Sequence, residues 1–226
     1  MTKRIPLLIL VVVACGGITM AETNIHQLPE PRLEGGKALI DVLQERRSIR
    51  EYSTQPLTLQ EVAQLLWSAQ GITSREGFRT APSAGALYPL VLHLVAGTVE
   101  GLASGNYRYD PHSHTLEMVV AGDLRPGLAH TALDQGWIQQ ASAAVVISAV
   151  FSRTTRKYGD RGVRYAHMEA GYAGQNLFLQ AEAMGLATVV VGAFDDDALK
   201  ALLHLPTDEQ PLSILPIGYP RQAITD

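Results

Sequence analysis

The strongest periodic signal lies between Thr58 and Gln70, where Leu59, Val62, Leu65, Leu66 and Ala69 recur at the spacing of one helix face. Thr58 with Glu61 three residues on reads as a capping box, and Leu57 with Val62 reads as a hydrophobic staple. Gly71 is expected to supply a left-handed stop. A longer helix is expected over residues 165–184, with Gly185 at its end. Its small residues Ala166, Ala170, Gly171, Ala173, Gly174, Ala181 and Ala183 leave room for another helix, either in the core or across a subunit boundary. Residues 36–46 form a shorter helix in which Leu39, Ile40, Val42 and Leu43 can share an apolar face. Helical patterning also covers 124–135, and Asp195 can cap a run containing Leu199, Leu202 and Leu203.

Four apolar runs read as buried strands: residues 90–96, 143–151, 186–192 and 212–218. Residues 107–109 and 115–120 flank Asp110-Pro111-His112-Ser113-His114, the pattern of a hairpin with a loop. Residues 72–80 and the basic stretch 153–164 read as loops, and 22–36, with Gly35-Gly36, as a tether. The order of elements predicts an α+β fold in which helices pack on a central mixed or antiparallel sheet. A single domain over 37–226 accommodates all of it.

Composition narrows the class. A chain of 226 residues with 46% hydrophobic content can bury one sizeable core. A net charge of −4 and a pI near 6.0 give no reason to expect a nucleic-acid partner. Residues 1–21 carry Lys3 and Arg4, an apolar run from Leu7 to Ala14, and Thr19-Met20-Ala21, the pattern of a signal peptide. Val12-Val13-Ala14-Cys15-Gly16 alternatively reads as a degenerate lipobox cut before Cys15, which would anchor the chain by a lipid. Either reading places the protein outside the cytoplasm, periplasmic or held at the cell envelope. Cys15 is the single cysteine, so disulfides, thiol catalysis and cysteine zinc sites are excluded.

The chemistry concentrates in two stretches. Arg46-Arg47-Ser48-x-Arg50 sets three permanently charged forks and a hydroxyl side by side, a set suited to phosphate. Arginines at a helix end are also what the macrodipole favours, so the cluster alone is equally a solvated cap. The second stretch, Pro82-Ser83-Ala84-Gly85-x-x-Tyr88-Pro89, offers small residues that let a ligand approach the backbone. Together the two resemble the FMN-dependent nitroreductase-like superfamily, and more closely its SagB-type dehydrogenases, the flavin oxidases of azoline-containing peptides. The resemblance runs from about Lys37 to Pro220.

That resemblance implies a nitroreductase-like fold and an FMN-dependent oxidoreductase passing a hydride between flavin and a small organic or peptide-heterocycle substrate. It implies that Arg46, Arg47, Ser48 and Arg50 hold phosphate and ribityl, and that Pro82, Ser83, Ala84 and Gly85 line the flavin. Gly192 and Ala193 would lie over the flavin face. Arg221 is the only residue able to serve as the basic group that many members carry after the final strand. It also implies a homodimer with flavin at the subunit boundary, here built on the 165–184 helix. Tyr88 is a candidate for orienting or protonating substrate; Tyr158, Arg164, His167 and Glu169 are weaker ones. His112 and His114 sit in a turn with no third ligand nearby, so no metal is expected. No dinucleotide glycine fingerprint is present, so nicotinamide would act only as a diffusing reductant. Two alternatives stand beside this reading: a general NAD(P)H-dependent nitro or quinone reductase, and an exported binding or structural protein that has lost its flavin.

Overall fold

Strand β2 (Leu90–Ala96) and strand β5 (Ala143–Val150) are buried at every position, and they pair with each other along their whole length. Their continuous apolar character follows from being covered on both faces. A computed structural model describes residues 25–221 of the chain. The candidate leader 1–21, its Cys15, and residues 222–226 lie outside the described residues. The remaining strands are β1 (Ile25–Gln27), β3 (Gly105–Asp110), β4 (Thr115–Ala121), β6 (Ala187–Thr188) and β7 (Glu209–Gly218). The sheet has the order β1-β4-β3-β2-β5-β7-β6, and every ladder is antiparallel.

Six helices cover it: α1 (Leu39–Glu45), α2 (Leu59–Gln70), α3 (Arg125–Thr131), α4 (Ser152–Tyr158), α5 (Arg161–Ala183) and α6 (Asp196–Leu203). Helices α2 and α5 bury Leu65, Leu66, Ala173 and Leu177 against Leu92, Leu94, Val145, Ile147 and Leu215 on one face. Helices α3 and α6 bury Leu128, Leu199 and Leu203 against Val95, Val146 and Ile214 on the other. Each fully buried leucine contributes roughly 1.5–3 kcal/mol of transfer free energy. The α+β class and the capping box at Thr58 are both present: the Thr58 hydroxyl accepts from the Glu61 N–H, and Glu61 accepts from the Thr58 N–H.

Several expectations change. The segment read as a tether contains β1, which supplies β4 with an edge partner, and it buries Leu28. The Gln64 side chain also bonds both the N–H and the carbonyl of Arg32, fixing the segment to α2. Gly71 ends α2 with φ −64°, so it is not a left-handed stop. Glycine is needed there because a Cβ would stand 2.1 Å from Trp67 Cδ1. The stretch 153–164 is not a loop but α4 and the start of α5, which meet where Gly162 lies against the Thr154 and Thr155 backbone. Its exposed charges hid the helical pattern. The strand expected over 186–192 pairs only at Ala187–Thr188, with one more bridge from Val191 to Ile214.

The small residues of α5 face inward. Ala166, Ala173, Gly174 and Ala181 are buried, and a Cβ on Gly174 would touch Ile147 Cδ1 at 3.7 Å. They are therefore sheet-packing residues rather than a free helix face. Gly171 has open space instead, and it lies with exposed Met168 and Tyr172 on the outer side of the helix. On α1, Val42 is buried, but Leu39, Ile40 and Leu43 remain exposed.

Candidate functional site

The arginine cluster begins at the C-cap of α1, where Arg46 (φ −50°, ψ 122°) turns the chain from helix to extended. The extended segment is held from both sides. The Ile49 N–H donates to the Thr188 carbonyl at 3.0 Å, and the Ser53 N–H to the Tyr219 carbonyl at 2.8 Å. Tyr52 is buried beneath it and bridges to Pro220. This pairing brings the end of the chain alongside, with the Arg221 N–H on the Glu51 carbonyl at 3.1 Å. Arg221 therefore reaches the cluster that its sequence position only suggested.

None of Arg46, Arg47, Arg50 and Arg221 has a carboxylate within 4.0 Å among the described residues. Their contacts are of another kind. The Arg46 guanidinium lies 4.6 Å from the centre of the Phe178 ring and that of Arg50 5.6 Å from Trp137. Arg47 donates to the Gln44 and Arg46 carbonyls, and Arg221 to Gln140 Oε1 at 3.0 Å. Ser48 is exposed beside them. Gly192 and Ala193 are exposed on the neighbouring edge, where Gln135 Nε2 donates to the Ala193 carbonyl. Four guanidiniums in no ion pair among the described residues and one hydroxyl form a donor set that fits a phosphate.

The Ser83 segment is built differently. After Ser83 the chain takes a single tight turn over Ala84–Ala86, with Gly85 at φ 64°, Ala86 at φ 53° and Tyr88 at φ 44°. Left-handed backbone at two non-glycine residues costs on the order of 1–3 kcal/mol each and persists only where the surroundings impose it. Here several groups impose it. The carboxylate of Glu169, 4% exposed, accepts from the Ala84 N–H at 2.9 Å. Ser83 Oγ accepts from the Tyr88 N–H at 2.8 Å, the Arg153 guanidinium donates to the Tyr88 carbonyl at 3.1 Å, and that of Arg79 lies 4.4 Å from the centre of the Tyr88 ring. Burial pushes the Glu169 carboxyl above its ordinary value, against the opposing pull of the Ala84 N–H and the Ser83 hydroxyl.

Glycine at 85 is favoured by its backbone and by its neighbours. Beyond its positive φ, a Cβ would stand 2.6 Å from the Tyr158 hydroxyl and 2.9 Å from Lys157 Nζ. Helix α4 thus aims a phenol and an ammonium at the one residue of the segment that has no side chain. Lys157 escaped the sequence reading because an exposed lysine on a short basic stretch carries no sign of a contact seventy residues away. Pro82 is exposed at the start of the segment. Tyr88 is clamped through its backbone and ring, so its main effect is to hold the segment's shape. Glu169 acts through the Ala84 N–H rather than as a free acid. Arg164 and His167 are exposed on α5, the latter against Phe151.

The two segments lie at opposite ends of β5. Ala143 pairs with Ile217, which pairs with Thr188, the partner of Ile49. At the other end the Val150 N–H donates to the carbonyl of Pro89, directly after Tyr88. The strand between those ends is seven residue steps, about 23 Å, and on α5 the contacts of the two segments, Glu169 and Phe178, are nine residues or about 14 Å apart.

Two other polar clusters are structural. His114 bonds the Tyr109 hydroxyl and the Pro29 carbonyl, and no metal-ligating cluster of three occurs among the described residues. His93 and Glu209 are buried on the α3/α6 side of the sheet at 2.6 Å, with the Ser148 hydroxyl on the same carboxylate oxygen. The carboxylate stands between serine and histidine, so the trio does not have the serine–histidine–carboxylate order of a catalytic triad.

Comparison with known proteins identifies the family. The model of the nitroreductase family matches residues 43–219. A provisionally named nitroreductase of Methanocaldococcus jannaschii is 44% identical over 199 residues, covering 88% of this chain and 98% of its own. The microcin B17-processing protein McbC of Escherichia coli is 31% identical over 134 residues, 56% of this chain and 48% of that protein. A crystal structure of a provisionally named nitroreductase from Ralstonia eutropha superposes with a TM-score of 0.78 at 30% identity, covering 88% of this chain and 90% of that one. With its antiparallel sheet, its arginine cluster and its strained glycine turn, the chain belongs to the nitroreductase family and is a flavin oxidoreductase of that family.

Proposed function

We propose that the protein binds FMN in two composite sites of a homodimer, each formed by the arginine end of one copy and the Ser83 end of the other. The observation that carries this is the separation of the two segments along β5, which leaves neither with the other's half of a site. The surface that would join two copies is apolar: Leu39, Ile40 and Leu43 on α1 and Met168, Gly171 and Tyr172 on α5. A two-fold axis through the middle of α5 sets Phe178 and Arg46 of one copy towards the Ser83 segment of the other.

Bound FMN would supply the hydride chemistry. In this reading Arg46, Arg47, Ser48, Arg50 and Arg221 hold the phosphate, and Gly192 and Ala193 leave the adjoining edge open. Pro82, Ser83, Ala84 and Gly85 pass their backbone along the ring. Lys157 and Tyr158, converging above Gly85, are the chain's own groups for holding or moving a proton. FMN is favoured over FAD because the guanidiniums suit a terminal phosphate. Denaturing the purified protein and chromatographing what it releases tests this. FMN is expected; FAD, or no flavin after reconstitution with excess FMN, would sink it.

For the substrate, the 44% identical relative favours a small nitro- or quinone-like acceptor. The more distant likeness to McbC favours oxidation of a heterocycle in a modified peptide. An exported protein without flavin is disfavoured, because it has no reason to keep four unpaired arginines. Export or lipid anchoring rests on residues 1–21 and Cys15 alone.

A further inference from the structure

Beyond the flavin segments, a cleft of about 640 Å³ opens where β2, β3 and β4 meet the start of α4. Three guanidiniums line it: Arg79, Arg108 and Arg153. None has a carboxylate within 4.0 Å among the described residues. Arg79 donates to Gln70 Oε1 at 2.9 Å, but its buried Nε has no hydrogen-bond partner there. Arg153 donates only to the Tyr88 carbonyl, and Arg108 makes no side-chain hydrogen bond among the described residues.

The acidic groups of the lining form no ion pair with them among the described residues: the charged Asp110 carboxylate is turned to the His112 N–H and the Ser113 hydroxyl, and Glu117, opposite Arg108 on β4, is exposed. Burial makes the Arg79 guanidinium less basic than usual, and the nearby Arg153 charge adds to this. Arg153 is lowered likewise, by burial and then by Arg108, against the opposing pull of Glu209 and Asp208. Like charges gathered in a partly desolvated cleft are held at a cost that an anion relieves.

We propose that this cleft is an oxyanion subsite, which receives a phosphate or carboxylate group carried by the substrate or by the reductant. Its volume falls in the range of small-molecule sites rather than of a single ion. Two of its three arginines are the groups that clamp Tyr88, so an anion drawn to Arg79 and Arg153 acts directly on the residue that shapes the Ser83–Gly85 turn. That coupling rests on the turn being part of the flavin site; binding in the cleft does not.

The test is calorimetric titration of the purified chain, loaded with FMN where FMN binds, with inorganic phosphate and with succinate. The variants are Arg108→Gln, Arg108→Lys as a charge-retaining control, and Arg46→Ala to mark anion binding at the other end. Arg108 touches neither Tyr88 nor the turn, so its replacement leaves the flavin segment in place. Wild type is expected to bind at least one of the two anions, more weakly as salt is raised. Arg108→Gln should lose roughly ten- to hundredfold in affinity, with Arg108→Lys between and Arg46→Ala retaining a site. Turnover with NADPH against NADH then separates the sources. A preference for NADPH that Arg108→Gln abolishes assigns the anion to the reductant's extra phosphate. Equal use, with a KM for both nicotinamides that Arg108→Gln raises, assigns it to the pyrophosphate they share. A nicotinamide KM that Arg108→Gln leaves unchanged assigns it to the substrate. Wild type that binds neither anion, or Arg108→Gln that binds within about twofold of wild type, overturns the proposal. Failure to load FMN leaves this result readable through Arg46→Ala.

Discussion

At the Ala143 end of β5 the site residues are long, charged and exposed, whereas at the Val150 end they are small, strained and clamped. The first end needs little from its surroundings. A guanidinium carries its charge at any accessible pH, and Arg46 and Arg50 are oriented only by the rings of Phe178 and Trp137. The second end needs much. Its left-handed residues are held by Glu169, Arg153, Arg79 and Ser83, which come from three separate parts of the chain. An anion cradle tolerates a loose frame because attraction is long-ranged, while a surface that must lie flush against a ring does not.

The largest expected effect is at the loose end. Arg46→Ala together with Arg50→Ala removes two charge-assisted contacts worth about 1.5–3 kcal/mol each, so FMN affinity should fall by at least two decades while the thermal midpoint barely moves. Equilibrium dialysis against FMN measures this; an unchanged affinity would reduce the cluster to a solvated helix end.

The next prediction tests whether the two ends belong to different copies. Gly85→Val should destroy the Ser83 end, since a β-branched residue is strained at φ 64° and its Cβ would displace the Tyr158 hydroxyl and Lys157 Nζ. Co-expressing that chain with the Arg46→Ala/Arg50→Ala chain yields mixed dimers in which one composite site is intact. Random pairing should then restore about one quarter of wild-type flavin content. If each copy builds its own site, mixing restores nothing.

The smallest effect separates the ends by pH. The Glu169 carboxyl is raised above its ordinary value near 4.5, so the folded chain takes up a proton between that value and its own. The sign follows: stability falls as pH rises through that window. Wild type should therefore lose thermal stability relative to Glu169→Gln as pH climbs from 4.5. A gain instead would mean that the Ala84 N–H and Ser83 hydroxyl favour the carboxylate more than burial penalises it.

What was legible followed range. The capping box at Thr58, the N-cap at Asp195 and the β3–β4 hairpin are settled within a few residues, and each appears as read. Gly71 was identified as the end of α2, but its reason lay in the Trp67 indole. Residues 153–164 looked like a loop because charge, not apolar period, dominates a helix packed along one narrow side. The small residues of α5 were visible, yet the side they face depended on Ile147 in another strand.

The sequence alone determined the α+β class, the arginine cluster and the glycine segment, because composition and local spacing carry phosphate chemistry and backbone freedom directly. Tertiary structure alone decided that Arg221 returns beside Arg50, that Lys157 and Tyr158 meet over Gly85, and that Arg79, Arg108 and Arg153 share one cleft. It also decided that the two segments stand at opposite ends of β5, a consequence of strand register. Register is fixed by which apolar faces are buried together, a property of pairs of strands that no single stretch of chain contains.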